Sequence, residues 1–267
     1  MIEIHSGDSV VVGVDGSAAA IFAAHWAVDE AISRDVPLRL VSCAQRSQGT
    51  DRMAIEYAAT CLRAAHAAIE GTGAAVKIET AILDGNPTTA LIEESRRAAM
   101  VCVGSVGIGR FARALLGSTA AELAERAACP VAVIRSYSPR QQHSEGSIVV
   151  EVNDWDENHD SIATAIAEAQ LRTLPIVMVG TCPPETGITT PNELRRRVEV
   201  WQDLYPDVPI TSAPITTSFE RYLGNTPEPI GLVILGAHNA ADLPGLIGSR
   251  TQTDRDNPEM SVVIARS

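Results

Sequence analysis

Gly104 and Gly107 stand three residues apart, and after nine further residues come Gly117, Ser118 and Thr119. Glycines leave main-chain N–H groups open to close approach. Hydroxyls at a helix start add donors beside the N–H groups that its first turn leaves unpaired. An anion suits this arrangement, phosphate above all. Arg110 and Arg113 fall inside the nine-residue interval and offset phosphate charge. A second group is Val14-Asp15-Gly16-Ser17. Ser17 is a plausible N-cap, and Asp15 reads either as a ligand contact or as a capping carboxylate, with contact favoured.

The elements around these groups are legible from their patterns. The apolar run Val10–Val14 suits a parallel strand covered on both faces, and Ile21, Ala24, Val28, Ala31 and Ile32 recur at helical spacing behind it. Strands are predicted at about 9–15, 37–43, 75–82, 100–104 and 130–135. Helices are predicted at about 18–34, 52–71, 87–98 and 118–128, with boundaries good to a few residues. Alternating strands and helices require right-handed crossovers and a parallel sheet. The glycine loop then follows strand four and the Asp15 turn follows strand one, outside the carboxyl ends of the strands, where such sheets bind ligands.

The unit occurs twice. With a shift of 138 residues, Ser9-Val10-Val11-Val12 falls on Ser147-Ile148-Val149-Val150, and Arg34-Asp35-Val36-Pro37-Leu38 falls on Arg172-Thr173-Leu174-Pro175-Ile176. With a shift of 131, Ala114–Ser118 falls on Gly245–Ser249 and Val131–Ser136 on Val262–Ser267. The expectation is an α/β chain of two tandem, doubly wound, Rossmann-like domains, residues 1–138 and 146–267. Each is an open parallel five-stranded sheet with helices on both faces, and the polar stretch 137–146 is the linker.

Gly-x2-Gly-x9-Gly-Ser after an apolar fourth strand resembles the ATP-binding signature of universal stress proteins. Val12–Ser17 and Cys129-Pro130-Val131-Ala132-Val133 are similar to that family's first and last strands. The helix Trp26–Ala31 resembles tandem forms of the family found in actinobacteria, mycobacteria among them. The resemblance covers nearly all of repeat one and, more faintly, repeat two. It implies ATP as ligand, with or without Mg2+. Val14 and Asp15 would lie at ribose or adenine, Val41 at the end of strand two would hold adenine through its backbone, and Gly104, Gly107, Gly117, Ser118 and Thr119 would hold ribose and phosphates, with Arg110 beside them. It also implies a regulator in stress, dormancy or growth control that acts on a protein partner; dimer formation stays open.

Repeat two departs from the pattern. Asn153 replaces Asp15, Gly236-Ala237-His238-Asn239 keeps only the first glycine, and residues 250–258 lack an apolar stripe. A structural partner without nucleotide is expected there. The alternative for the whole chain is a nucleotide-free scaffold in which both sites have decayed.

Other chemistries fit less well. The net charge is −12, with 12 basic and 15 acidic groups in residues 1–138 and 9 basic and 18 acidic groups beyond, so the basic footprint of a nucleic-acid binder is missing. Walker A needs Gly-Lys-Ser/Thr, and the single lysine, Lys77, is placed in strand three. Gly107-Ile108-Gly109-Arg110-Phe111-Ala112 fits a loose dinucleotide fingerprint, but after strand four instead of strand one. There is no Gly-x-Ser-x-Gly elbow and no general base evident for attack on a γ-phosphate, so hydrolysis is expected to be slow or negligible. Five scattered cysteines without Cys-x-x-Cys, six histidines without ligand spacing, no apolar run of about 18 residues and a short polar N-terminus complete a cytoplasmic reading.

Overall fold

The computed structural model describes residues 8–45, 51–107, 116–135, 146–152, 158–182, 190–248 and 260–266. The chain divides into two compact units that meet in sequence at residues 137 and 138.

In the first unit the order is β1 (Val10–Gly13), α1 (Ala18–Ser33), β2 (Leu38–Ala44), α2 (Asp51–Glu70), β3 (Ile78–Asp84), α3 (Pro87–Glu94), β4 (Met100–Gly104), α4 (Ser118–Arg126) and β5 (Val131–Ile134). All pairings are parallel and the strand order is β3-β2-β1-β4-β5. The order reverses between β1 and β4. Right-handed crossovers put α1 and α2 on one face and α3 and α4 on the other, and each pair packs together. Val10, Val12, Leu38, Leu40, Met100, Cys102 and Val131–Ile134 have no exposed surface, as a sheet covered on both faces requires.

The second unit repeats this plan: β6 (Ser147–Glu151), α5 (His159–Arg172), β7 (Ile176–Thr181), α6 (Pro191–Leu204), β8 (Ile210–Ile215), α7 (Phe219–Asn225), β9 (Ile230–Gly236), a 3-10 turn (Ala237–Asp242), α8 (Leu243–Gly248) and β10 (Ser261–Ala265). Its strands run β8-β7-β6-β9-β10, also parallel, with the reversal between β6 and β9. The α/β, doubly wound, Rossmann-like class read from the sequence is what each unit forms.

The 138-residue shift holds at atomic detail. The Val14 N–H donates to the Val41 carbonyl at 2.8 Å, and the Val152 N–H donates to that of Val179 at the same distance. Asp35 (φ 54°) and Thr173 (φ 56°) are the two described non-glycine residues with left-handed backbone, one residue before the bonds Val36 N–H to Ala31 O and Leu174 N–H to Ala169 O that close α1 and α5. Aspartate tolerates this conformation, whereas β-branched threonine is strained in it. Thr173 is exposed and ends α5. Thr173→Gly is therefore expected to stabilise the chain by about 0.5–1 kcal/mol, seen in calorimetry as a rise of about 3 °C in the transition of the second unit.

Two boundaries differ from expectation. The third helix stops at Glu94, a turn early, because the Ser95 hydroxyl donates to the Ile92 carbonyl and accepts from the Ala128 N–H. Lys77 precedes β3 by one residue and pairs with Glu79.

Candidate functional site

The Asp15 turn leaves β1 at the reversal of strand order, and the two oxygens of its carboxylate face different neighbours. Oδ1 accepts the Ser17 N–H at 2.9 Å, and Ser17 in turn caps α1 by accepting the Ala20 N–H at 3.1 Å. The capping reading of Asp15 is met by Oδ1, while Oδ2 faces Gly107. A Cβ on Gly107 would run directly into that oxygen. The absence of a side chain at Gly107 leaves the Asp15 carboxylate its room there. Gly16 also has to be glycine, with φ +88°.

Gly117 comes back to the same place. Its N–H donates to the Ser105 carbonyl at 2.6 Å, and a Cβ there would stand 3.4 Å from that carbonyl oxygen and 3.9 Å from Gly107 N. Gly117 occupies the N-cap of α4 without any side-chain cap, so Ser118 and Thr119 carry the first uncapped N–H groups of that helix. Ser118 is exposed and Thr119 half-buried. The Thr88 hydroxyl of α3 donates to that of Thr119 at 3.2 Å.

Gly104 is different. A Cβ there would lie 2.7 Å from the Ala19 carbonyl carbon and Cβ and 2.9 Å from Ala20 N. Its missing side chain admits α1 to the sheet, a packing requirement that stands beside the reading of Gly104 as a glycine kept clear for phosphate. Val41 has a place in its strand that differs from expectation. It sits in the middle of β2, three residues short of the end, is 1% exposed, and its carbonyl already accepts from Val14. Val14 itself is buried. Arg110, with Arg113, lies outside the described residues.

Two residues not singled out from sequence complete the turn. Tyr57 of α2 donates its hydroxyl to the Asp15 carbonyl at 2.9 Å, and buried Cys61, one helical turn on, approaches Gly16 from the same side. Their i, i+4 spacing was a usable signal, but nothing in the sequence tied it to residue 15.

In the second unit the described part of the corresponding place is acidic. The 3-10 turn and α8 follow β9 directly, and Asn239 donates to Glu151, which replaces Gly13 in the repeat, at 3.1 Å. A cavity of about 200 Å3 opens there, lined by Glu151, Glu220 and Asp242 with Thr181, Ser218 and Asn239. Three carboxylates disfavour a polyphosphate at this position. Asn153, Asp154 and Trp155 lie outside the described residues, as do residues 250–258.

This chain is 42% identical over 262 residues to the universal stress protein Rv2624c of Mycobacterium tuberculosis H37Rv, covering 97% of this chain and 96% of that one. The chain belongs to the universal stress protein family. A second mycobacterial member, Rv3134c, is 40% identical over 247 residues, 89% of this chain and 91% of the relative. The model of the universal stress protein family matches residues 8–135, the unit that holds Asp15, Gly107 and Gly117. Among solved structures, a universal stress protein from Archaeoglobus fulgidus has a TM-score of 0.73 at 13% identity, covering 97% of this chain and 96% of that chain, a likeness of fold.

For a universal stress protein, this one offers little reactive chemistry among its described residues. All five cysteines are free thiols. Burial, with the Glu94 charge adding to it, pushes Cys43 up to about 11, and burial pushes Cys129 up to about 12, so neither is a thiolate at neutral pH. No described cluster of His, Cys, Asp or Glu is arranged to hold a metal ion. No described helix is long and apolar enough to cross a membrane.

Proposed function

We propose that the first unit binds one ATP at the mouth bounded by the Asp15 turn, Gly107, Gly117 and the start of α4, and that the protein is a regulator with slow or no ATP hydrolysis. The observation that carries this reading is the convergence of Asp15, Gly107 and Gly117, from three stretches of chain, at the reversal of strand order in a parallel sheet. That position favours a ligand, and the uncapped start of α4 favours its anionic end.

In this reading the carboxylate of Asp15 takes ribose hydroxyls or the base edge. Gly107 N–H and the main chain and hydroxyls of Ser118 and Thr119 take phosphate oxygens, and Arg110 offsets their charge. Val14, Val41 and Gly104 contribute through main chain alone, as walls of the sheet and the mouth. The ATP is bound with or without Mg2+. With no general base for the γ-phosphate identified from the sequence, occupancy acts by stabilising one arrangement of the glycine loop, to which a protein partner in stress, dormancy or growth control responds. The second unit, with carboxylates in the equivalent place, supports the first.

The test is calorimetric titration of nucleotide-free chain with ATP, alongside ion-exchange chromatography of small molecules released on denaturation. One ATP per chain, with no accelerated release of phosphate, is the expected result. Two per chain would make the second unit a site, and none would leave the scaffold alternative.

A further inference from the structure

We infer that Tyr57 is a positioning residue for this site, coupling helix α2 to the Asp15 turn; the inference rests on the ATP reading above. Its hydroxyl donates to the Asp15 carbonyl across 42 residues of sequence. The hydroxyl oxygen and the Cys61 sulfur each lie 3.0 Å from where a Cβ of Gly16 would stand. The peptide between Asp15 and Gly16 is therefore held from the α2 side, while the Asp15 carboxylate is held from the α1 side by the Ser17 N–H.

That second hold matters because Gly16 has left-handed backbone, which a glycine leaves as readily as it enters. Rotation of the 15–16 peptide would swing the Asp15 carboxylate relative to Gly107. Tyr57 is 51% exposed, so its hydrogen bond satisfies no buried group and adds little to folding. Its consequence is orientation. Partial burial, contact with Cys61 and the Asp15 charge all raise the phenol above its ordinary value, so it remains a donor at physiological pH. Whatever moves the N-terminal half of α2 then moves the base-and-ribose end of the mouth.

The experiment is binding of ATP and of adenosine to the full-length wild type, Tyr57→Phe, Asp15→Asn and the double variant. Tyr57→Phe is expected to weaken both ligands by the same factor of about 5 to 10, with an unchanged unfolding midpoint. Added to Asp15→Asn, it is expected to change affinity less than about twofold, because Tyr57, bonded to the Asp15 main-chain carbonyl, acts only through the orientation of that carboxylate. Thr119→Val, at the phosphate end, is the contrast and weakens ATP alone. Wild-type affinity in Tyr57→Phe, or factors that multiply in the double variant, would overturn the positioning role while leaving the ATP reading intact. A wild type that binds neither ligand would overturn both.

Discussion

Alanine at Gly107 is expected to weaken ATP binding about 30-fold while leaving the fold almost untouched. The added methyl group would collide with Asp15 Oδ2, the far end of a flexible side chain, so the collision is relieved by turning the carboxylate away. That movement costs at most the bond from the Ser17 N–H to Oδ1, about 1 kcal/mol. What is lost is a charged hydrogen-bonding group aimed at the ligand, an interaction worth about 1.5–3 kcal/mol, or roughly 10- to 150-fold in affinity. Gly117→Ala is the control. Its methyl group meets the Ser105 carbonyl oxygen at 3.4 Å and Gly107 N at 3.9 Å, which is ordinary contact, so its affinity is expected to fall about threefold at most. Calorimetric affinities and urea midpoints for the two variants separate the cases. Equal, small losses in both would mean that the Asp15 carboxylate does not reach the ligand.

The contrast among the glycines shows what sequence makes legible. Spacing identified Gly104, Gly107 and Gly117 as positions where the main chain is left open to a ligand, and it placed them after β4 and before α4. It did not reveal what a side chain at each would meet. At Gly104 the obstacle is the backbone of α1, at Gly107 a carboxylate, and at Gly117 nothing closer than van der Waals contact. The strands were recognisable because burial on both faces leaves only apolar residues in them. The end of α3 was not, because it depends on hydrogen bonds of Ser95 to a residue three positions back and to Ala128. Tyr57 escaped for the same reason, since a half-exposed tyrosine on a helix surface gives no periodic sign of a partner 42 residues away. The repeat was detected through Arg34 and Arg172, yet their acidic partners, four residues earlier, carried no meaning until burial was known.

Those partners set the second large effect. Glu30 is 1% exposed and its Oε2 lies 3.2 Å from Arg34 Nη2; Glu168 is 2% exposed and its Oε2 lies 2.7 Å from Arg172 Nε. The same pair thus closes α1 and α5, at i and i+4, just before the left-handed residue in each. Arg34 Nε and Nη1 are buried and have no hydrogen-bond partner among the described residues, so Glu30 is the main compensation of that guanidinium. Breaking a buried pair from one side costs more than the pair contributes, because the remaining charge stays out of water. Glu30→Ala is expected to destabilise the first unit by about 3 kcal/mol. At an m-value of about 1.5 kcal/mol/M, its urea midpoint falls by about 2 M. Glu30→Gln keeps an acceptor for the arginine and is expected to cost about half as much. Hydrogen exchange of peptides from each half, read across the urea series, assigns the transition to its unit; Glu168→Ala is expected to move the other one. An unchanged midpoint for Glu30→Ala would mean that water reaches Arg34 and replaces the carboxylate. The consequence extends to the mouth of the site, because α1 is the helix whose first turn lies against Gly104 and begins at the Asp15–Ser17 turn. Loosening its far end is therefore expected to lower ATP affinity in Glu30→Ala at urea concentrations well below the unfolding transition, an effect that Glu168→Ala does not share.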